Sequence, residues 1–302
     1  MIHDILPHVL DNAFKVCGPN PTDFVIRYDG AKTLLKKVLS GEGATSATNY
    51  AIPRVGELLA LEGKTLADFK GHYLFSIDDT AFFLDDSVSA DCAAGQSAGT
   101  AATPAGFEYM GSRTFRSMNP VERMGGATAV HIAHWESLNR FCGRCGSVTT
   151  RGEKERSIVC PQCGNVVYPR ISPVVIVAVR NGDKLLMAHN IDNPNPRLFL
   201  ISGFVEVGES LEQAVHREVL EEAGLCVKNV RYFGSQPWPF SDSLIAGFTA
   251  ELDGDDTIRM QQEELSEAMW VKREDIPEYE TDVSISCCLI ENFRRGFTIG
   301  QP

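Results

Sequence analysis

The chain lacks any apolar run near the roughly 18 residues that a membrane span requires, so no transmembrane segment is expected among its 302 residues. Its opening stretch, MIHDILPHVLDNAF, has no basic region followed by an apolar one, and no secretory signal is expected. The closing TIGQP does not resemble a peroxisomal address. Positive charge is in the minority: 28 Lys and Arg stand against 40 Asp and Glu, a net charge of −12. This argues against a protein that grips nucleic acid through a broad basic surface. An even cysteine framework is missing as well. Of nine cysteines, four fall in a metal pattern and two, Cys287 and Cys288, are adjacent. That usage points to a reducing compartment, and a cytoplasmic location is the expectation.

What is present suits a globular protein. Hydrophobic residues make up 43% and charged residues 23%, and the length suffices for two domains with a substantial core. The stretch Gly203 to Leu225, GFVEVGESLEQAVHREVLEEAGL, reads as a tight loop followed by one amphipathic helix. Ser210 suits an N-cap, and Gln213 completes a capping-box pattern. Leu211, Ala214, Val215 and Val219 recur at helical spacing. Gly224 stands where a left-handed C-cap belongs. Glu218, Glu221 and Glu222 fall at i, i+3 and i+4, so they share one face. One such pair at about 4 Å, with an effective dielectric near 20, repels by roughly 4 kcal/mol before screening. They also lie toward the helix C-terminus, where the dipole disfavours carboxylates. A hard divalent cation such as Mg²⁺ would relieve the repulsion. A solvated acidic face is the plainer account of three glutamates taken alone.

A second metal pattern precedes this one. Cys142-Gly-Arg-Cys145 and Cys160-Pro-Gln-Cys163 are two CxxC knuckles separated by fourteen residues. They read as a tetrahedral Cys₄ site for one structural Zn²⁺, a zinc ribbon with no open position for water. A pair of redox dithiols is the alternative, but no thioredoxin-like context surrounds them. Arg144, Arg151, Lys154 and Arg156 in the loop are interrupted by Glu153 and Glu155, which weakens a nucleic-acid reading of the ribbon.

Around these motifs the remaining chain gives three parts: 1–126, a small α+β domain; 127–169, a linker helix and the ribbon; and 170–302, strands alternating with two helices. In the first part, Phe24–Tyr28 and Tyr73–Ile77 read as strands, and Ala81–Leu84 is a candidate partner of the second across Asp78–Thr80. Val55–Leu61 is either a strand or a short helix. Residues 87–106, small and polar, read as an excursion between strands. Cys17 and Cys92 read as a core thiol and a loop thiol. Residues 127–141 form a plausible helix, whose His131 and His134 are read as packing or surface residues rather than ligands. In the third part, Pro173–Val179 is a continuous apolar run, as in a strand buried on both faces. Asn181-Gly182 signals a hairpin to Lys184–Ala188. Asn190–Arg197 reads as a loop, and Phe199–Ile201 leads into the glutamate stretch. Val230–Phe233, Ser243–Ala250 and Met269–Val271 read as strands, and Thr281–Phe293 as a closing helix. This alternation implies helices packed on a mixed sheet.

Gly203, then five residues, Glu209, then seven, then Arg217-Glu218-Val219-Leu220-Glu221-Glu222-Ala223-Gly224-Leu225, match the Nudix box at every defined position. The chain resembles the Nudix hydrolases, which cleave a nucleoside diphosphate linked to another group. Ser235-Gln-Pro-Trp-Pro-Phe-Ser-Asp-Ser243 resembles the SQPWPFPxS signature of the NADH pyrophosphatase subfamily, with Ser241 in place of a proline. Read alone, two prolines around an indole suggest either a rigid platform that stacks a planar base, worth roughly 1–3 kcal/mol, or a core tryptophan on a stiffened turn. The ribbon before the hydrolase domain, and the three-part order, are also those of this subfamily. The resemblance is specific over residues 135–295 and weak before about residue 110.

The resemblance implies an α+β protein: an N-terminal α+β domain, a Cys₄ zinc ribbon, and a C-terminal Nudix α/β/α sandwich with a mixed sheet. It implies hydrolysis of the pyrophosphate of NADH or NAD⁺ to NMNH or NMN plus AMP, and of the same bond at the 5′ end of NAD-capped RNA. Glu218, Glu221, Glu222 and Glu264 would be catalytic and would ligate Mg²⁺ or Mn²⁺ together with the backbone carbonyl of Ser202; more than one ion is implied. Glu263 is the fallback for Glu264. Glu155, Tyr168, Gln236, Pro237, Trp238, Pro239, Phe240, Ser241, Asp242, Ser243 and Ser286 match substrate-contacting positions, with Ser286 replacing a usual alanine. Phe204 resembles an aromatic that helps sandwich the base. Arg113, with Arg116 as competitor, matches a phosphate-contacting arginine. Gly203, Glu209, Arg217 and Gly224 would be structural. A homodimer without membrane attachment is implied. The competing readings are a Nudix hydrolase for ADP-ribose or another dinucleotide, and a non-catalytic zinc-ribbon RNA-binding module.

Overall fold

The computed structural model describes residues 1–38, 49–87, 103–192, 196–279 and 284–296. Most of the excursion at 87–106, with Cys92, lies outside the described residues, as do residues 193–195 of the 190–197 loop and the first residues of the closing helix. The chain forms two compact units, Ile5–Arg170 and Ile171–Pro302 with Met1–Asp4.

The first unit contains β1 (Leu10–Asp11), β2 (Phe24–Ile26), β3 (Lys32–Val38), β4 (Asn49–Ala51), α1 (Val55–Leu61), β5 (Gly71–Ile77), β6 (Thr80–Asp85), β7 (Phe107–Gly111) and α2 (Pro120–Leu138). One sheet has the order β1-β5-β6-β2 and another β4-β3-β7. The β5–β6 hairpin pairs as its two apolar runs suggest, Ile77 opposite Thr80. Val55–Leu61 resolves to a helix because Val55, Leu58 and Leu59 bury one face at i, i+3 and i+4. Strands β3 and β7 escape a reading by alternation: β3 buries three consecutive residues, Thr33–Leu35, between lysines.

Helix α2 starts seven residues earlier than the 127–141 reading and stops at Leu138. Asn119 caps it, accepting from Glu122 N–H at 3.0 Å, and Pro120 occupies the first turn. Gly125 and Gly126 look like breakers in the sequence. In the fold they permit close packing: a Cβ at Gly125 would lie 2.2 Å from Phe82 Cζ, and one at Gly126 2.3 Å from Phe115 Cδ1. The helix shares its core with the strands, through Ala129, Val130, Ala133 and Trp135 against Phe75, Phe82 and Leu84. His131 Nε2 lies 2.8 Å from the Arg170 carbonyl. The ribbon follows as β8 (Thr150–Arg151), β9 (Ile158–Val159) and β10 (Val166–Val167), in the order β10-β9-β8.

The second unit contains β11 (Ser172–Asn181), β12 (Lys184–Asn190), β13 (Ile201–Phe204), α3 (Leu211–Ala223), β14 (Val227–Trp238), β15 (Ser243–Leu252), β16 (Leu265–Lys272) and α4 (Ile285–Arg294). Its sheet has the order β14-β15-β11-β12-β16, with β13 paired to β11. It is mixed: β11 runs parallel to β15 and antiparallel to β12 and β13. The apolar run of β11 splits by parity. Val175, Val177 and Val179 join Ala214, Val215 and Val219 of α3, while Ile176 and Ala178 join Ile285, Leu289 and Phe293 of α4. Both faces are covered, which is why the run shows no alternation. The result is the helix–sheet–helix sandwich expected from the sequence. Strand β14 runs on through Ser235-Gln-Pro-Trp238, so this segment is not a free-standing turn. Pro237 is tolerated because β14 is the edge of the sheet.

Candidate active site

Helix α3 forms as its capping signals dictate. Ser210 Oγ accepts from Gln213 N–H at 3.2 Å, Gln213 Oε1 accepts from Ser210 N–H at 2.8 Å, and Gly224 closes the helix with φ 68°. The apolar stripe that seats the helix on β11 also turns two of its glutamates inward. Glu218 and Glu222 retain only 8% and 6% exposure, whereas the Glu221 side chain stays open to solvent. Strand β13 brings Gly203 against the Glu218 carboxylate, beside Ser202 and the half-exposed Phe204.

Arg217 gathers part of this charge. Nε and Nη2 donate to Glu209 at 2.6 and 3.0 Å, Nη1 to Glu218 at 2.7 Å and to Glu221 at 2.9 Å, and Nη2 also to the Phe204 carbonyl at 2.9 Å. The guanidinium holds the Glu209 carboxyl below its ordinary range. Burial pushes Glu218 up, and Arg217 opposes this in part. Glu222 receives no such relief. Burial first, then the charges of Glu218, Glu264 and Glu221, push its carboxyl up to about 8. A buried carboxylate with that many negative neighbours either keeps a proton or takes a cation. Glu218, Glu221, Glu222 and Glu264 offer oxygen donors only, the chemistry that suits a hard divalent ion, although among the described residues their carboxylates are not drawn together as the ribbon sulfurs are.

The ribbon cysteines converge more tightly. Their four sulfur atoms all lie within 4.8 Å of one another, with Cys142–Cys163 at 3.6 Å and Cys145–Cys160 at 3.5 Å. A tetrahedron of Zn–S bonds near 2.3 Å has edges of about 3.8 Å, so this cradle fits zinc. Bonds from Ser147 lead the causes that lower the Cys145 thiol to about 6, toward the thiolate that a metal requires.

Several other residues singled out in the sequence have contacts of their own. Gln236 is fully buried, and its Oε1 accepts from Ile285 N–H at 2.7 Å, capping α4. Trp238 and Phe240 form an edge-to-face pair, centroids 5.0 Å apart at 78°. Pro239 and Ser243 are buried, Pro237 and Asp242 are half-buried, and Ser241 is exposed, with its carbonyl accepting from Ser243 Oγ at 2.8 Å. Ser286 lies buried in the first turn of α4, and its hydroxyl has no hydrogen-bond partner among the described residues. In the first unit, Tyr168 OH donates to Glu155 Oε1 at 2.9 Å, and Arg113 stands exposed in the turn Ser112–Ser117. No sequence motif marks Gln261, whose backbone joins the Glu264 turn to α3, or the network of His72, Asp86, Glu136 and Arg151. That network borders a cleft of about 730 Å³ in the first unit, which the Nudix-box glutamates do not line.

The NUDIX domain family matches residues 170–288, and the NADH pyrophosphatase zinc ribbon domain matches residues 137–168. The NAD-capped RNA hydrolase NudC of Mannheimia succiniciproducens is 40% identical over 191 residues, covering 61% of this chain and 68% of that protein. The chain belongs to the Nudix family, in the branch that carries this ribbon. Two further Nudix relatives bear the same name. The protein from Salmonella schwarzengrund is 42% identical over 163 residues, 54% of this chain and 63% of that one. The protein from Haemophilus influenzae strain PittEE is 42% identical over 166 residues, 54% of this chain and 62% of that one. The chain therefore spans about two thirds, or slightly less, of the length of these relatives. Among the described residues no helix is long and apolar enough to cross a membrane.

Proposed function

We propose that this chain is a Nudix pyrophosphohydrolase that splits the pyrophosphate of NADH or NAD⁺ to NMNH or NMN plus AMP. The same P–O–P bond occurs in an NAD cap, so the 5′ end of NAD-capped RNA is a second substrate. The observation that carries the reading is the pair of buried carboxylates, Glu218 and Glu222, in an intact Nudix box behind an NADH pyrophosphatase-type ribbon. The names of the NudC relatives supply the substrate class.

In this reading Glu218, Glu221, Glu222, Glu264 and the Ser202 carbonyl hold Mg²⁺ or Mn²⁺, and Cys142, Cys145, Cys160 and Cys163 hold Zn²⁺. Bound divalent ions supply charge neutralisation on the phosphate oxygens and a more acidic water. A cluster glutamate, or Glu264, accepts the proton of the attacking water. The water oxygen forms the new bond to one phosphorus, and the other phosphate leaves with the bridging oxygen. Glu209, through Arg217, keeps the loop and α3 in register. Phe204 and Trp238 offer ring faces for the base. The parts 1–126, 127–169 and 170–302 act together in a cytoplasmic homodimer.

The test is to incubate the purified protein with NADH, NAD⁺, ADP-ribose and NAD-capped RNA, each with Mg²⁺, Mn²⁺ or chelator, and to identify products by mass. Metal-dependent AMP plus NMNH, fastest from NADH, is the expected outcome. Faster cleavage of ADP-ribose would replace the substrate, and no hydrolysis by zinc-loaded protein would overturn the reading.

A further inference from the structure

Glu264 stands apart from the other three carboxylates, in a turn rather than on α3, and its side chain is exposed. An exposed glutamate on a turn samples several rotamers, and holding one of them costs side-chain entropy. Gln261 is the residue bonded to both sides of this arrangement. Its N–H donates to the Glu222 carbonyl at 3.0 Å, and its own carbonyl accepts from the N–H groups of Glu264 at 3.3 Å and Leu265 at 3.0 Å. Its side-chain Nε2 donates to Glu264 Oε1 at 3.3 Å. Ile191 N–H fixes the far side of the turn through the Glu264 carbonyl, at 2.9 Å.

We infer that Gln261 is a positioning residue for the proposed divalent-ion site, its side-chain amide turning the Glu264 carboxylate toward the end of α3 that carries Glu222. This rests on the hydrolase reading, in which Glu264 is an acidic ligand. A neutral donor suits the task. Lysine or arginine at this position would neutralise Glu264 in place of the ion, and a carboxylate would repel it. An amide spends one of the roughly four lone-pair sites of the carboxylate and leaves the others to the ion.

Full-length, zinc-loaded protein is titrated with Mn²⁺ without substrate, following free Mn²⁺ by electron paramagnetic resonance, and NADH turnover is measured in parallel. Q261A keeps every backbone bond, so its melting temperature should stay at the wild-type value. Its Mn²⁺ affinity should fall by about 3–10-fold, the size expected for loss of one hydrogen bond of ordinary net strength, and Q261E should fall further. At limiting Mn²⁺ the loss should appear in kcat, with KM for NADH unchanged. The double variant Q261A/E264A should bind Mn²⁺ no more weakly than E264A alone, because Gln261 acts through Glu264. Wild-type Mn²⁺ affinity in Q261A, with a clear loss in E264A, overturns the inference. So does an additive loss in the double variant. If E264A itself changes neither Mn²⁺ affinity nor turnover, the ligand role of Glu264 fails and takes the inference with it.

Discussion

The side chain that Gly203 lacks is the space the Glu218 carboxylate occupies: a Cβ at Gly203 would lie 2.0 Å from Glu218 Cδ and 2.1 and 2.2 Å from its two oxygens. A methyl group there cannot coexist with the present position of the carboxylate. Gly203→Ala should therefore displace Glu218, destabilise the fold by about 1–3 kcal/mol through overpacking, and lower NADH turnover at least about 100-fold through misplacement. Thermal melts and steady-state turnover check the two effects; an active, fully stable alanine variant would refute this account of the loop glycine.

Glu222 couples the site to pH. Its carboxyl is at about 8 in the metal-free fold, against about 4.3 unfolded. A group whose pKa is higher in the folded state takes up a proton on folding. The metal-free protein should therefore lose stability as pH rises from the unfolded value toward about 8 and then level off. Glu222→Gln removes the ionisation, so metal-free melting temperature should rise at pH 8 relative to wild type, while most of kcat is lost. Paired melts at pH 6 and 8 with chelator, and turnover with Mg²⁺, test both halves.

His72 supplies a pH dependence of its own in the first unit. Nε2 lies 2.9 Å from Glu136, and Nδ1 lies 3.5 Å from Asp86, an ion-pair distance that falls short of a hydrogen bond. Arg151 donates to both carboxylates. Burial would lower the imidazole, but Asp86 and Glu136 outweigh it and hold His72 above its ordinary value. The stability it contributes is complete below the unfolded pKa, about 6.5, and is lost as pH rises through the folded one. The gap in urea midpoint between wild type and His72→Gln should be widest near pH 6 and should narrow by pH 9. A gap that does not vary with pH would remove His72 as its source.

Zinc loss should act on the fold rather than on the chemistry. Cys145→Ser removes one of four converging sulfurs, and zinc content measured by atomic absorption should fall from one per chain toward zero, with a lower melting temperature. Unchanged zinc content would contradict a Cys₄ site.

Gln236 is expected to report on stability. Gln236→Leu leaves the buried Ile285 N–H without the acceptor it has at 2.7 Å, a loss of roughly 1–3 kcal/mol. A chemical-denaturation curve measures this. An unperturbed midpoint would show that the α4 cap is dispensable.

Legibility in the sequence followed the range of the interactions. Helix α3, from its Ser210 cap to Gly224, is specified by neighbours within four residues and could be read directly. The same holds for the two cysteine knuckles and for the β11–β12 hairpin at Gly182. Helix α2 reads short because Gly125 and Gly126 mark a break locally, and only the rings of Phe82 and Phe115, which lie outside the helix, explain why they belong inside it. Ser235–Trp238 reads as a proline-stiffened turn until strand pairing places it on a sheet edge.

By itself, the sequence determined the chemistry on offer: an oxygen-rich glutamate face, a four-thiol ribbon, and the motifs that assign the chain to its family. These are matters of residue type and spacing along one element. Only the tertiary structure decided how the charge is held. It buried Glu218 and Glu222 but left Glu221 outside, divided Arg217 among three glutamates, and set Glu264 beside α3 through Gln261. Burial and counter-charge depend on what packs across a helix from other strands and turns, which spacing along one chain segment does not contain.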